Sequence, residues 1–337
     1  MLTRRQTLCL PASLPLSMRA SLPRLPSLSP SLSPSLCLPL TMPLLPTARA
    51  QPASAVAPPM PTARHGRIER LPPLASRHVA ARPVDVWLPP GYDGSRPHAV
   101  LYMHDGQMLF DPGITWNKQA WEVDRVAAPL LAAGRLRDFI VVGPWNLDKL
   151  RFAEYFPQAW LPYLDDTWRR NLSERAMNGP PRSDGYLRFL VEELKPAIDA
   201  RYATRPGREH CFLAGSSMGG LISLYGLCEH PQVFGGAACL STHWIGGFER
   251  NEVVPSAALR YLREKLPPPA TVRLWMDRGD MELDALYDPA QARVDALMAE
   301  KGFRAPRFIS KVYAGTGHNE RVWRDRLPEV LGFLLGG

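Results

Sequence analysis

From Val84 onward the chain alternates between short, continuous apolar runs and longer stretches in which apolar residues recur every three or four positions. The runs VDVWLPPGY (84–92), AVLYM (99–103), FIVVGPW (139–145), CFLAG (211–215), GAACLS (236–241), VRLWM (272–276) and RFISKVY (307–313) read as strands. Between and after them, 121–134, 184–202, 288–302 and 319–335 carry helical periodicity. The first of these ends at Gly134, and the second opens at Asp184, a plausible cap, and contains Pro196, which is expected to kink or divide it. Strand–helix alternation of this kind predicts an α/β fold: a mostly parallel sheet with helices on both faces, in one domain over 78–337. One stretch, 158–184, has aromatic, charged and proline residues but no clean period, and is expected to be a loop capping a pocket with Trp160, Tyr163 and Trp168.

The region before Val84 follows different rules. Its first fifty residues hold five arginines and no acid, and TRRQTLCL (3–10) carries the paired arginines of a twin-arginine export signal. TARA (47–50) offers small residues for cleavage after Ala50, although the intervening Ser, Leu and Pro repeats contain no long apolar run. The expectation is an exported protein, periplasmic or secreted, with a cytoplasmic location if the leader belongs to a misassigned start. Residues 51–77, rich in Pro and Ala, are expected to be a flexible linker. No run approaches the ~20 apolar residues needed to span a bilayer.

Composition narrows the function classes. The chain has 337 residues and a net charge of +8; without the five leader arginines, 35 basic residues face 32 acidic ones. That balance, with no basic stripe interleaved with aromatics, argues against nucleic acid as a partner. Cys211, Cys228 and Cys239 lie in apolar stretches and are expected to be buried thiols, with a Cys228–Cys239 disulfide as the oxidised alternative. No C-x-x-C or H-E-x-x-H spacing occurs, so neither a metal nor an organic cofactor is implied. Nothing in the pattern specifies an oligomeric state.

The chemistry concentrates at AGSSMGG (214–220), where a predicted strand ends and a helix begins. Gly215-Ser216-Ser217-Met218-Gly219 fits G-x-S-x-G, which puts Ser217 on a sharp strand-to-helix turn as a nucleophile and leaves Ser216 in the variable position. A serine nucleophile needs a base. His318, in a glycine-rich loop after the last strand, is the leading candidate, with His104 as its rival; the remaining six histidines are expected to be surface or capping residues. An acid should follow the strand at 272–276, where Asp280, Glu282 and Asp284 are available; Asp284 is preferred and Glu282 is the alternative. The Met218 and Gln107 N–H groups are the expected oxyanion donors, with Gly106 allowing close backbone approach, and His104, Asp105 and Trp244 are placed in the substrate pocket.

Several of these segments together resemble the esterase family grouped with esterase D and enterochelin esterase, which are α/β-hydrolases related to feruloyl and acetyl-xylan esterases and to mycolyltransferases. The resemblance runs through VDVWLPPGYDG, VLYMHDGQMLFD, RFAEYFP (151–157), YLRFLVEELKPAIDARY, LAGSSMGGLISLYG, HPQVFGGAACLS, LDALYDP and GTGHNERVW, from about Val84 to Leu335. It implies an α/β-hydrolase fold with a small cap-like insertion, and a serine esterase with Ser217 as nucleophile and His318 as base. It also implies a small-molecule ester substrate and a pocket that includes Arg151, Glu154 and Tyr155. Acyl transfer through the same acyl-enzyme, and a non-catalytic ligand-binding protein on the same fold, are the alternatives.

Overall fold

The computed structural model describes residues 58–336, so the expected export segment and the first part of the expected linker lie outside the described residues. Eight strands form one sheet: β1 (Arg67–Arg70), β2 (Val84–Leu88), β3 (Ala99–Met103), β4 (Phe139–Pro144), β5 (Cys211–Ser216), β6 (Gly236–Leu240), β7 (Arg273–Arg278) and β8 (Phe308–Val312). Their order across the sheet is β1-β2-β4-β3-β5-β6-β7-β8. The first two pairings are antiparallel and the rest parallel. The helices are α1 (Val123–Ala132), α2 (Arg151–Tyr155), α3 (Asp166–Asn171), α4 (Ser183–Arg188), α5 (Lys195–Arg201), α6 (Met218–Glu229), α7 (Val253–Lys265), α8 (Asp288–Glu300) and α9 (Glu320–Leu335).

The continuous apolar runs are explained by burial on both sides. Within β3, Val100 and Tyr102 join one core, while Leu101 and Met103 join the other. Helices α1 and α9 cover the second face through Val123, Ala127, Trp323 and Leu327. The other face is covered by α2 and α4–α8, with Leu187, Ile198, Leu221, Ala257 and Val294 among their contributions. This is the doubly covered α/β arrangement expected of parallel strands, in the α/β-hydrolase topology. No helix among the described residues is long and apolar enough to cross a membrane.

The structure corrects three expectations about organisation. Part of the expected linker is β1, an edge strand paired with β2 and anchored by Arg70, whose Nε donates to Asp85 Oδ1 at 2.7 Å. The expected capping loop at 158–184 is largely helical: a 3-10 segment at Gln158–Tyr163, then α3 and a wide turn at Leu172–Ala176. Its Trp160, Leu164 and Leu172 are buried in the core, so apolar anchoring rather than periodicity orders it. The helix expected over 184–202 does divide, but ahead of Pro196: a wide π-type turn at Phe189–Leu194 joins α4 to α5. A wide turn suits a proline that supplies no N–H and crowds the preceding carbonyl. Cys211, Cys228 and Cys239 are buried and free.

Candidate active site

Ser217, Asp284 and His318 follow β5, β7 and β8 at the carboxyl ends of parallel strands, where open α/β sheets place their sites. Ser217 follows β5 with φ 57° and ψ −121°, a left-handed backbone that few side-chain-bearing residues adopt. The turn is held by the Ser217 N–H donating to Leu240 O at 2.9 Å and by the His243 N–H donating to Ser217 O at 3.2 Å. Gly215 is required by crowding, since a Cβ there would stand 2.7 Å from the Gly219 backbone. Gly219 is less confined; its nearest neighbours would be Asp105 Oδ2 at 3.4 Å and His104 Cβ at 3.5 Å.

His318 follows β8, and its Nδ1 lies 2.5 Å from Asp284 Oδ1. Because a buried carboxylate accepts, this contact assigns the proton to Nδ1 and leaves Nε2 as the atom that can take one. The ring is wedged between Trp323, with centroids 4.9 Å apart, and Tyr287 at 5.8 Å, both edge-on. Asp284 is fully buried; its Oδ2 accepts from Ser241 Oγ at 2.6 Å and from the Gly279 N–H at 2.5 Å. The other two carboxylates of the loop have backbone duties. Glu282 accepts the His318 N–H at 2.9 Å, and Asp280 accepts the Gly315 N–H at 2.7 Å.

The loop after β3 carries the expected second oxyanion donor. Asp105 has φ 60° and ψ 48°, and its carboxylate is clamped by Arg151 through Nε at 2.8 Å and Nη2 at 2.7 Å and by Asn146 Nδ2 at 2.7 Å. Burial alone would raise the Asp105 carboxyl; the Arg151 charge and hydrogen bonds more than reverse this and hold it below its usual value. Gly106 is needed for contact with β4 rather than for access to substrate, since a Cβ would fall 2.1 Å from Gly143 O. The Gln107 side chain accepts the Asn146 N–H at 3.1 Å, which ties this loop to the one after β4. Met218 is the first residue of α6, so its N–H has no intrahelical acceptor.

Several pocket assignments do not hold. Trp244 is fully buried, donates to Gln291 Oε1 at 2.8 Å and stacks on Trp160 with centroids 6.4 Å apart. Glu154 forms a buried ion pair with Arg82 at 2.6 Å and belongs to the core beneath the site. Tyr155 is likewise buried, and its hydroxyl accepts the Asp105 N–H at 3.2 Å, so it supports the loop instead of lining the cleft. His104, the rival base, is buried and bonded through Nδ1 to Tyr186 Oη at 2.9 Å. Desolvation pushes its pKa down to about 4, which keeps it neutral and makes it a weak base. These residues lie next to the right motifs in sequence, but their side chains point into the protein.

The sequence reading also missed three residues. His243, expected at the surface, is buried, and its Nδ1 lies 2.7 Å from Tyr287 Oη. Burial, with the His318 and Arg151 charges nearby, lowers it to about 3. Tyr287 is fully buried, and its phenol is raised by desolvation and then by the Asp284 charge. The Ser217 hydroxyl makes no direct hydrogen bond to His318. The third residue is Arg326, on α9. It is almost fully buried, pairs with Asp277 at 2.9 Å and donates to Ser241 Oγ at 3.2 Å, behind Asp284. Only the Tyr287 position had a signal, as part of LDALYDP; nothing local marked the other two.

The sequence profile of the family described as "Putative esterase" matches residues 79–334, and the chain belongs to that family. It is an enzyme of the α/β-hydrolase superfamily, in the carboxylic-ester-hydrolase class. Among curated proteins it is 23% identical over 272 residues to "Uncharacterized protein YbbA" of Bacillus subtilis, covering 78% of this chain and 96% of that protein. It is 24% identical over 284 residues to "Endo-1,4-beta-xylanase/feruloyl esterase" of Xylanibacter ruminicola; that match takes in 80% of this chain but 32% of the relative. A solved ferulic acid esterase superposes with a TM-score of 0.60 at 21% identity, covering 80% of this chain and 98% of the other. The enterobactin esterase of Shigella flexneri gives 0.59 at 19% identity, covering 81% and 60%. At these identities the structural likeness is one of fold.

Proposed function

We propose that the protein hydrolyses carboxylic esters through an acyl-enzyme on Ser217. The observation that carries this reading is the His318 Nδ1 to Asp284 contact at 2.5 Å, with Ser217 on a strained turn at the carboxyl end of β5 in the same sheet. In the reaction, Ser217 Oγ attacks the ester carbon while His318 Nε2 takes its proton. The resulting oxyanion is received by the Met218 and Gln107 N–H groups. The alcohol leaves with the proton from His318, and water, deprotonated by the same nitrogen, releases the acid. Alignment of the Ser217 hydroxyl with His318 Nε2 is the one adjustment required, of a kind common between resting and substrate-bound sites.

An aromatic acyl group suits this site best. The largely exposed Phe248 meets His243 edge-on at 6.4 Å, with Tyr287 packed behind it, and two similar proteins are named a ferulic acid esterase and an enterobactin esterase, the latter solved with 2,3-dihydroxy-N-benzoyl-serine. The test is turnover of p-nitrophenyl acetate and methyl ferulate, with fluorophosphonate labelling that disappears in Ser217→Ala. A folded protein that neither turns over an ester nor takes the label refutes the proposal.

A further inference from the structure

At the opposite end of the sheet, where the parallel strands begin, lies a cavity of about 350 Å³. Its walls include Arg137, Arg208, Arg273 and Arg307, with Glu209 as the one acid, and Phe212 supplies an apolar side. These residues stand just before or at the start of β4, β5, β7 and β8, so the cavity is separated from Ser217 by the length of the strands. Arg205 is a fifth cation close enough to act on Arg137.

Arg70, Arg82, Arg151 and Arg326 each pair with a carboxylate, whereas none of the five comes within 4.0 Å of one among the described residues. Glu209 itself approaches His210 at 3.6 Å. Part of the cluster caps α9: Arg137 donates to Leu335 O and Gly336 O, and Arg273 to Phe333 O. A helix terminus presents only about half a negative charge, so capping leaves roughly three or more positive charges uncompensated. The strain registers on Arg137, whose pKa is lowered by desolvation and then by Arg273 and Arg205. Arg208 Nε is buried and has no partner.

We propose that this cavity binds a soluble small molecule carrying clustered phosphoryl groups. Guanidinium forks match phosphoryl oxygens in pairs, and the volume lies at the lower end of the ~300–1,000 Å³ range of small-molecule sites. Phe212 offers a face to the ligand's non-phosphate part. The concave shape fits a free ligand and not a flat membrane or a duplex.

The test is isothermal titration of the protein with pyrophosphate, at ionic strength matched by chloride. Saturable one-to-one binding is expected, weakened at least 10-fold in both Arg273→Gln and Arg307→Gln. The Arg307 side chain is exposed and makes no hydrogen bond, so its replacement removes charge without threatening the fold. Hydrolysis of p-nitrophenyl acetate should be equal in all forms, which separates this proposal from the one about the active site. No saturable binding beyond that of chloride, or equal affinity in wild type and both variants, overturns it.

Discussion

Replacing Asp284 by Asn tests the site most sharply, because the structure dictates how the amide must sit. Around Oδ2 stand two groups that can only donate. The Gly279 N–H is fixed by the backbone, and the Ser241 hydroxyl already accepts from Trp323 Nε1 at 3.0 Å and Arg326 Nη1 at 3.2 Å. An amide NH₂ placed there would face two donors, so it turns toward His318 instead. The imidazole must then accept at Nδ1, which puts its proton on Nε2, the atom that has to act as base. The lost charge adds to this. A carboxylate and an imidazolium whose charge centres are about 4 Å apart interact by about 4 kcal/mol at an effective dielectric of 20, or roughly a thousandfold in rate. The kcat/KM of Asp284→Asn on p-nitrophenyl acetate should therefore fall by about 10³ or more, while Glu282→Gln, which keeps an acceptor for the His318 N–H, should lose less than about 10-fold. Both are to be measured with circular dichroism and melting temperature as fold controls. Folded Asp284→Asn within 10-fold of wild type, or equal losses in the two variants, would show that the assignment of the acid is wrong.

Tyr287→Phe removes the hydroxyl that meets His243 Nδ1 beside the His318 ring; kcat should drop by about 3–10-fold with a small change in KM, and an unchanged kcat would assign the phenol a packing role only. Breaking the buried Arg82–Glu154 pair by Arg82→Ala strands a carboxylate and should destabilise by about 3–5 kcal/mol in denaturant unfolding, most of it recovered in the Arg82→Met, Glu154→Leu double variant. His243 stays neutral in the fold down to about pH 3 but takes a proton near pH 6.5 when unfolded, so its contribution to stability is lost as the pH falls below 6.5. Relative to wild type, His243→Gln should therefore gain about 1 kcal/mol between pH 6 and pH 5; a pH-independent difference would contradict that account. His104 behaves the same way down to about pH 4, while Asp277, raised to about 6 by burial, works in the opposite direction and stabilises below that pH.

How much of this could be read from the chain depended on the range of each contact. Ser217 and His318 stand in short glycine-bearing segments after apolar runs, and the strand rhythm alone puts both at one edge of a sheet. Asp284 could only be narrowed to three neighbours, because side-chain direction within a loop is set by packing: Gly279 and Ser241 pull one carboxylate inward while Asp280 and Glu282 meet backbone N–H groups. Glu154 and Trp244 were misplaced for the same reason, since a motif fixes where a residue falls along the chain and not the face its side chain takes. Arg82, His243 and Arg326 meet partners 72, 44 and 49 positions away, with no local pattern to announce them. Strand β1 was hidden by the prolines around it, and its pairing depends on Val84–Leu88.

The acid and base loops are stitched to each other by more than the catalytic contact. The Asp280 and Met281 N–H groups both donate to Thr316 O at 3.1 Å, Gly315 and His318 N–H groups donate back to Asp280 and Glu282, and Gly279 has no room for even a methyl group against Thr316. Residues 279–284 and 315–318 thus form a single stiff jaw that cannot part without breaking five hydrogen bonds, the His318–Asp284 contact included. Passage of substrate and product falls to the lip at 245–250, which belongs to neither strand nor helix and carries adjoining glycines beneath Phe248. Amide hydrogen exchange should be fast on that lip and slow along the jaw, with turnover sensitive to stiffening of Gly246–Gly247.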